Sequence, residues 1–238
     1  MKERKIKQAI ILAGGQGTRL KPLTNNCPKP MVLVGEKPFV EYMVEALKKS
    51  GIEEIVFLLG YLPEKVTEYF GDGSHFGIKI MYSIGKVEDD TGTRIRNAKK
   101  LLDRDFLLMY GDVYWPFLDL KKMSEFYYAS GKLGLMVVCN TGESRPNVWV
   151  DDANNVLDYA YGPDAKNPRF NWTEIGVFLM NKKIVNFISE RDNVNLNKTT
   201  LPDLVAKGEF IAWKTNHAPD TITCPAHVIA FAEKMRLM

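Results

Sequence analysis

Between Ile10 and Met31 the chain reads IILAGGQGTRLKPLTNNCPKPM. An apolar run closing on Leu12 and Ala13 breaks into Gly14-Gly15-Gln16-Gly17-Thr18-Arg19, and Lys29 follows between two prolines. A buried strand that stops in small residues presents backbone N–H groups with no Cβ in front of them, a surface that phosphate oxygens can approach closely. Arg19 can grip two such oxygens at once, while Lys29 supplies a point charge. Together they describe a triphosphate cradle at the end of the first strand. A second chemical feature is FLLMYGD, Phe106–Asp112, where a carboxylate stands behind Gly111 just past another apolar run. Mg2+ prefers one or two carboxylates completed by phosphate oxygens and water. Taken singly, Arg19 and Lys29 are ordinary loop cations and Asp112 an ordinary turn aspartate. Their company gives them chemistry.

The whole stretch resembles the signature of the sugar-1-phosphate nucleotidyltransferases, LAGGxGTRLxPLTxxxPKPM, and meets every fixed position from Leu12 through Met31. A dinucleotide-binding Rossmann turn is the rival, because Gly15-x-Gly17 is half of its fingerprint. That fingerprint needs Gly or Ala where Leu20 stands and a helix opening at once, whereas Pro22, Pro28 and Pro30 favour an extended loop. The resemblance implies a nucleoside-triphosphate loop of Leu12, Ala13, Gly14, Gly15, Gly17 and Thr18, with Arg19 on the β- and γ-phosphates and Lys29 near the α-phosphate. It also implies Mg2+ held by Asp112 and a later acid. Asp220, in HAPDTITCPAH, is the candidate, with Thr223 matching a family threonine. The glycine of the common DIGTP form is missing there, and a plain loop aspartate is the alternative.

The segment EDDTGTRIRN, Glu88–Asn97, departs from the family's EPLGTAGAL and resembles the TGGRLKR of its glucose-1-phosphate cytidylyltransferase branch. On that likeness Thr91 and Gly92 reach the base and ribose, and Arg94 faces a base edge or a phosphate. By periodicity, Arg94 and Arg96 are equally the solvated face of a helix whose apolar side is Ile95, Ala98 and Leu102. On the acceptor side Gly111, Glu174 and Gly176 stand at family positions. Glu174 replaces an asparagine and suits hydrogen bonds to sugar hydroxyls or to an ammonium group. The EKP lysine that binds the acceptor phosphate in many members is absent near Tyr161-Gly162-Pro163, which leaves Arg145, Lys166 or Arg169 to substitute. The stretch GYLPEKVTEYFGDGSHFGIKIMYSI resembles the heptose-1-phosphate guanylyltransferase branch, so CTP and GTP are both favoured donors. Tyr110, Tyr114, Trp115 and Phe117 read as sheet-edge packing, with Trp115 alternatively lining the acceptor pocket.

These groups need a scaffold that brings strand ends together. Apolar runs at Gln8–Ala13, Glu54–Leu59, Ile78–Ser83 and Phe106–Tyr110 alternate with helical patterns at Phe39–Lys49, Pro63–Phe70 and Arg94–Leu102, and Asp119 caps a helix running to Ser130. That is the order of a doubly wound, mostly parallel α/β sheet, whose ligands sit beyond the carboxyl ends of the strands. Short strands follow at Gly134–Cys139, Val148–Val150, Val156–Tyr161, Ile175–Met180 and Phe210–Lys214, with helices at Lys182–Ser189, Leu201–Lys207 and from Pro225. They make a smaller mixed-sheet acceptor region. The reading is one domain over residues 1–238, with a nucleotide-binding core at 1–133 and the acceptor region and C-terminal helices at 134–238.

With 238 residues, 45% apolar and 26% charged, the composition is that of an ordinary soluble chain. A net charge of +3, without a polybasic block, argues against a nucleic-acid groove or a membrane surface. No run is long enough to span a bilayer, and MKERKIKQ lacks the features of a signal peptide. Cys27, Cys139 and Cys224 have no pairing or metal spacing, nor do His75, His217 and His227, so a reducing cytoplasm is the default. The resemblance implies an NTP and a sugar 1-phosphate as partners, and dimers and tetramers are common in the family. A phosphorylated amine, alcohol or amide acceptor and a non-catalytic nucleotide-sugar-binding regulatory subunit are the alternatives. The second is expected to lose phosphate cations or metal acids, and Arg19, Lys29, Asp112 and Asp220 are all present.

Overall fold

The computed structural model describes residues 5–140, 145–162, 167–190 and 192–236. The fold is α/β, with a seven-stranded, mostly parallel sheet. Its strands are β1 (Gln8–Leu12), β2 (Glu54–Leu59), β3 (Lys79–Ile84), β4 (Asp105–Tyr110), β5 (Gly134–Cys139), β6 (Thr173–Asn181) and β7 (Phe210–Thr215). The α-helices are α1 (Phe39–Lys49), α2 (Pro63–Phe70), α3 (Thr91–Asn97), α4 (Leu120–Ser130), α5 (Leu201–Ala206) and α6 (Pro225–Arg236). No described helix is long and apolar enough to cross a membrane.

The chain divides into two compact units. One comprises Lys7–Asp89, Met109–Leu118 and Pro219–Met238. Here β1 pairs in parallel with β2, and β2 with β3, so that Ile10 faces Val56 and Val56 faces Met81. QAIIL in β1 is buried throughout, and EIVFLL in β2 nearly so, as parallel strands covered on both faces require. Helix α1 follows Pro38 and buries Phe39, Val40, Met43, Val44 and Leu47, one stripe at helical spacing. Lys48 and Lys49 sit in its last turn, where cations suit the helix dipole, and Gly51 at φ 92° turns the chain away. The C-terminal stretch from Pro219 belongs to this unit, where Asp220–Thr221 forms a short antiparallel ladder on Val113–Tyr114 and α6 packs through Phe231.

The other unit takes residues up to Ile6, Asp90–Leu108 and Asp119–Ala218. Its sheet order is β7-β5-β6-β4, with β7 parallel and β6 antiparallel to β5. Register slips between Glu174 and Phe178, around Gly176 at φ 80°, a left-handed value suited to glycine. Helix α4 starts as expected, with the Asp119 carboxylate accepting the Lys122 N–H at 3.1 Å. Two helices depart from expectation. The one expected at Arg94–Leu102 spans Thr91–Asn97, because the Asp90 side chain caps it by accepting the Thr91 N–H at 2.7 Å. Lys182–Ser189 is a 3-10 helix over Lys182–Phe187, entered where the Asn181 side chain accepts the Lys183 N–H.

Candidate active site

The glycine loop is held from beneath. Leu20 and Thr24 are buried, and the Thr24 hydroxyl donates to the Gly17 carbonyl at 2.9 Å. The Leu20 N–H reaches the same carbonyl at 2.9 Å, opening a 3-10 turn at Thr18–Leu20 that leaves Arg19 exposed. Tyr61, just past β2, clamps both ends of the loop. Its N–H donates to the Gly14 carbonyl at 3.1 Å and its hydroxyl to the Asn25 carbonyl at 2.9 Å. Gly17 sits at φ 63°, and a Cβ there would lie 2.8 Å from the Lys29 Cβ, so its missing side chain lets Lys29 approach. Gly15 differs: it is exposed, and a Cβ would meet nothing within 4 Å. Packing among the described residues does not explain that glycine. Burial pushes the neighbouring Cys27 thiol up, against a smaller opposite pull from Lys65.

The Lys29 ammonium makes a short ion pair with Asp112. Both are mostly shielded from water, with side-chain exposures of 15% and 25%. Asp112 is fixed by what precedes it. The Gly111 N–H donates to the Leu12 carbonyl at 2.9 Å, and a Cβ on Gly111 would lie 2.8 Å from that oxygen, so only glycine lets the chain pass so close to β1. Beyond Asp112 runs the ladder in which Thr221 faces Val113 and Asp220 faces Tyr114. The Ile222 N–H donates to the Asp112 carbonyl at 3.2 Å, extending the contact by one residue. Of the two expected metal ligands, Asp112 immediately precedes this ladder and Asp220 is part of it. Asp220 carries its own cation, with Lys234 Nζ at 2.7 and 3.0 Å from its two oxygens. Burial first, then the Asp220 charge, raises the Tyr114 phenol above its ordinary value. Thr223 is spent elsewhere, sharing a hydrogen bond of 2.8 Å with His227 Nδ1 near the start of α6.

Does this donor set fit Mg2+? Both side chains are hard carboxylates, each attracting a positive group already. Among the described residues no cluster of three or more His, Cys, Asp or Glu is suited to a metal. An ion here would complete its shell with phosphate oxygens and water, which is the habit of Mg2+ rather than of a caged metal. The set fits.

In the other unit, the TGT segment binds protein rather than lying open. The N–H groups of Gly92 and Thr93 donate to the Val194 carbonyl at 2.8 and 3.1 Å. Hydroxyls of Thr93 and Thr91 accept the N–H groups of Val194 and Leu196, both at 2.8 Å. A Cβ on Gly92 would lie 2.9 Å from the Val194 carbonyl. The backbone N–H expected to serve a base or ribose at Gly92 is thus committed to Val194. Asn193 and Asn195 complete the clip on Asp90, at 2.7 and 2.9 Å, and sequence reasoning missed both. Arg94 is only 5% exposed, which corrects its reading as a solvated helix face. Arg96 donates to the Ser189 and Asp192 carbonyls.

Glu174 and Gly176 do meet: the Gly176 N–H donates to the Glu174 carboxylate in a short bond across the bulge. Asn147 accepts the Glu174 N–H at 2.9 Å. Tyr159 is buried beside them, and burial followed by the Glu174 charge raises its phenol well above the ordinary range. Arg145 is exposed two residues before Asn147. The Arg169 guanidinium lies over the Trp149 ring, 4.9 Å from its centroid. Lys166 falls outside the described residues. Trp115 is 3% exposed and packs edge-on to Phe117, and Tyr114 joins the rings of Tyr42 and Phe231, which agrees with sheet-edge packing.

The site thus joins a strand-end glycine loop, a Lys–Asp pair and a second acid on the ladder that follows Asp112, in an α/β fold with a mostly parallel sheet. The Nucleotidyl transferase family matches residues 8–209, and the chain belongs to that family. The D-glycero-alpha-D-manno-heptose 1-phosphate guanylyltransferase of Campylobacter jejuni is 35% identical over 185 residues, 75% of this chain and 78% of that protein. The UTP–glucose-1-phosphate uridylyltransferase of Synechocystis is 26% identical over 217 residues, 84% of this chain but 56% of that longer protein. Among solved structures, HddC from Yersinia pseudotuberculosis superposes with a TM-score of 0.81 at 25% identity, over 97% of this chain and 100% of that one. The same protein complexed with GMP-PN gives 0.79. The likeness read from Leu12–Met31 holds: the Campylobacter and Synechocystis relatives are sugar-1-phosphate nucleotidyltransferases.

Proposed function

We propose that the chain joins a nucleoside triphosphate to a sugar 1-phosphate, giving a nucleotide sugar and pyrophosphate, with GTP as the preferred donor. The observation that carries the reaction is the gathering, in one unit, of the Gly14–Thr18 loop, the Lys29–Asp112 pair beside Gly17, and Asp220 on the adjoining ladder. An oxygen of the acceptor phosphate attacks the α-phosphorus in line, a new P–O bond forms, and the bond to the β-phosphate oxygen breaks. The acceptor phosphate is already anionic at neutral pH, so no general base is required. Arg19 and the loop amides hold the triphosphate, and Lys29 offsets charge on the transferring phosphoryl group. Asp112 and Asp220 would hold Mg2+, which when bound supplies further neutralisation of phosphate charge.

Support for GTP comes from the Campylobacter relative, a guanylyltransferase named for a heptose 1-phosphate, and from the GMP-PN complex of HddC. The test is pyrophosphate release with GTP, CTP, UTP and ATP against a panel of hexose and heptose 1-phosphates. Release is expected with GTP and at least one of these sugars. Release with another nucleotide alone overturns the donor, and release that no sugar phosphate supports overturns the acceptor class.

A further inference from the structure

Lys234 has no part in the chemistry just described, yet it sits on one of its acids. Its ammonium donates to both oxygens of Asp220, and the element that delivers it is anchored. Phe231, one turn earlier on α6, is 3% exposed. Its ring packs edge-on against Phe39, Tyr42 and Tyr114, with centroids 5.0, 5.4 and 5.1 Å away. Tyr114 is the residue that faces Asp220 across the ladder. A single helix turn thus ties the aromatic box under the ladder to the carboxylate on it. Asp112 has its lysine too, but Lys29 comes from the glycine loop and has a task on the substrate. Lys234 has none.

We infer that Lys234 is a resident competitor for the divalent ion at Asp220, holding the carboxylate until metal displaces it and so setting the affinity of the site. This rests on the placement of metal at Asp220. Lys234 occupies both Asp220 oxygens, so a metal ion that takes either one competes with the ammonium for it and weakens the pair. Release is easy, because the lysine side chain is 49% exposed and its head can swing into water. A half-exposed ion pair is weak, so the competition tunes affinity rather than blocking binding.

The test is Mn2+ binding to the whole protein, followed by electron paramagnetic resonance, for wild type, Lys234→Met, Lys234→Gln, Lys234→Arg and Asp220→Asn. Lys234→Met and Lys234→Gln are expected to bind Mn2+ about fivefold more tightly. Lys234→Arg keeps the wild-type affinity and Asp220→Asn weakens it. A purely structural pair would lower the melting temperature of Lys234→Met without tightening Mn2+. Unchanged or weaker affinity in both neutral variants, with Asp220→Asn still weakened, overturns the competitor role and leaves Asp220 as a ligand. Unchanged affinity in Asp220→Asn overturns the metal placement, and the competitor role with it.

Discussion

Asp112→Asn is expected to lower kcat by at least about 10²–10³-fold, the scale on which a single preorganised charge-stabilising group acts. The fold should survive. Asparagine is isosteric and still offers Lys29 an acceptor oxygen, and Gly111, not the carboxylate, locks the backbone against β1. Loss of stability should stay within about 1 kcal/mol, because the Lys29 ammonium keeps a hydrogen bond to the amide oxygen in place of the ion pair. Steady-state kinetics beside a thermal melt separate the two effects. Turnover within tenfold of wild type would remove Asp112 from the metal site.

Gly17→Ala acts on the same site through packing alone. At φ 63° an alanine carries a left-handed penalty of about 1–2 kcal/mol. Its methyl would also stand 2.8 Å from the Lys29 Cβ and 3.1 Å from the Thr24 Cγ2. Lys29 must then shift, and Asp112 loses its partner in register. A displacement of that kind can cost about 10²-fold in rate. The variant should show kcat/KM reduced by one to two orders of magnitude and a lower melting temperature. Gly15→Ala is the control, since among the described residues its methyl meets nothing within 4 Å. It should melt like wild type and lose affinity for the nucleotide only. Equal loss of stability in both would show that the loop is built for packing rather than for phosphate.

What could be read in the sequence follows from how local each feature is. The loop from Gly14 to Lys29 was legible because its parts are contiguous, and glycine, proline and cation types each carry a backbone or charge meaning. Strands β1, β2 and β4 were legible as unbroken apolar runs ending in glycine. The clip between Asp90–Arg94 and Asn193–Leu196 was not, because hydroxyls and amides about a hundred residues apart carry no mutual signal; Thr93 and Val194 are separated by 101 positions. Apolar spacing at Ile95, Ala98 and Leu102 places the helix too late. Asp90, directly ahead of Thr91, was the available cap signal that starts it earlier. Lys234 was invisible for a similar reason. It lies on a helix whose docking depends on Phe231 meeting rings from residues 39, 42 and 114, and no spacing within α6 announces that.

The most direct measurement is a crystal structure of the protein with an unreactive GTP analogue and Mg2+. The account predicts triphosphate oxygens on the backbone N–H groups of Gly14–Thr18, with Arg19 and Lys29 turned onto them. A nucleotide bound with its phosphates away from that loop, or an analogue that never binds while turnover proceeds, would contradict it.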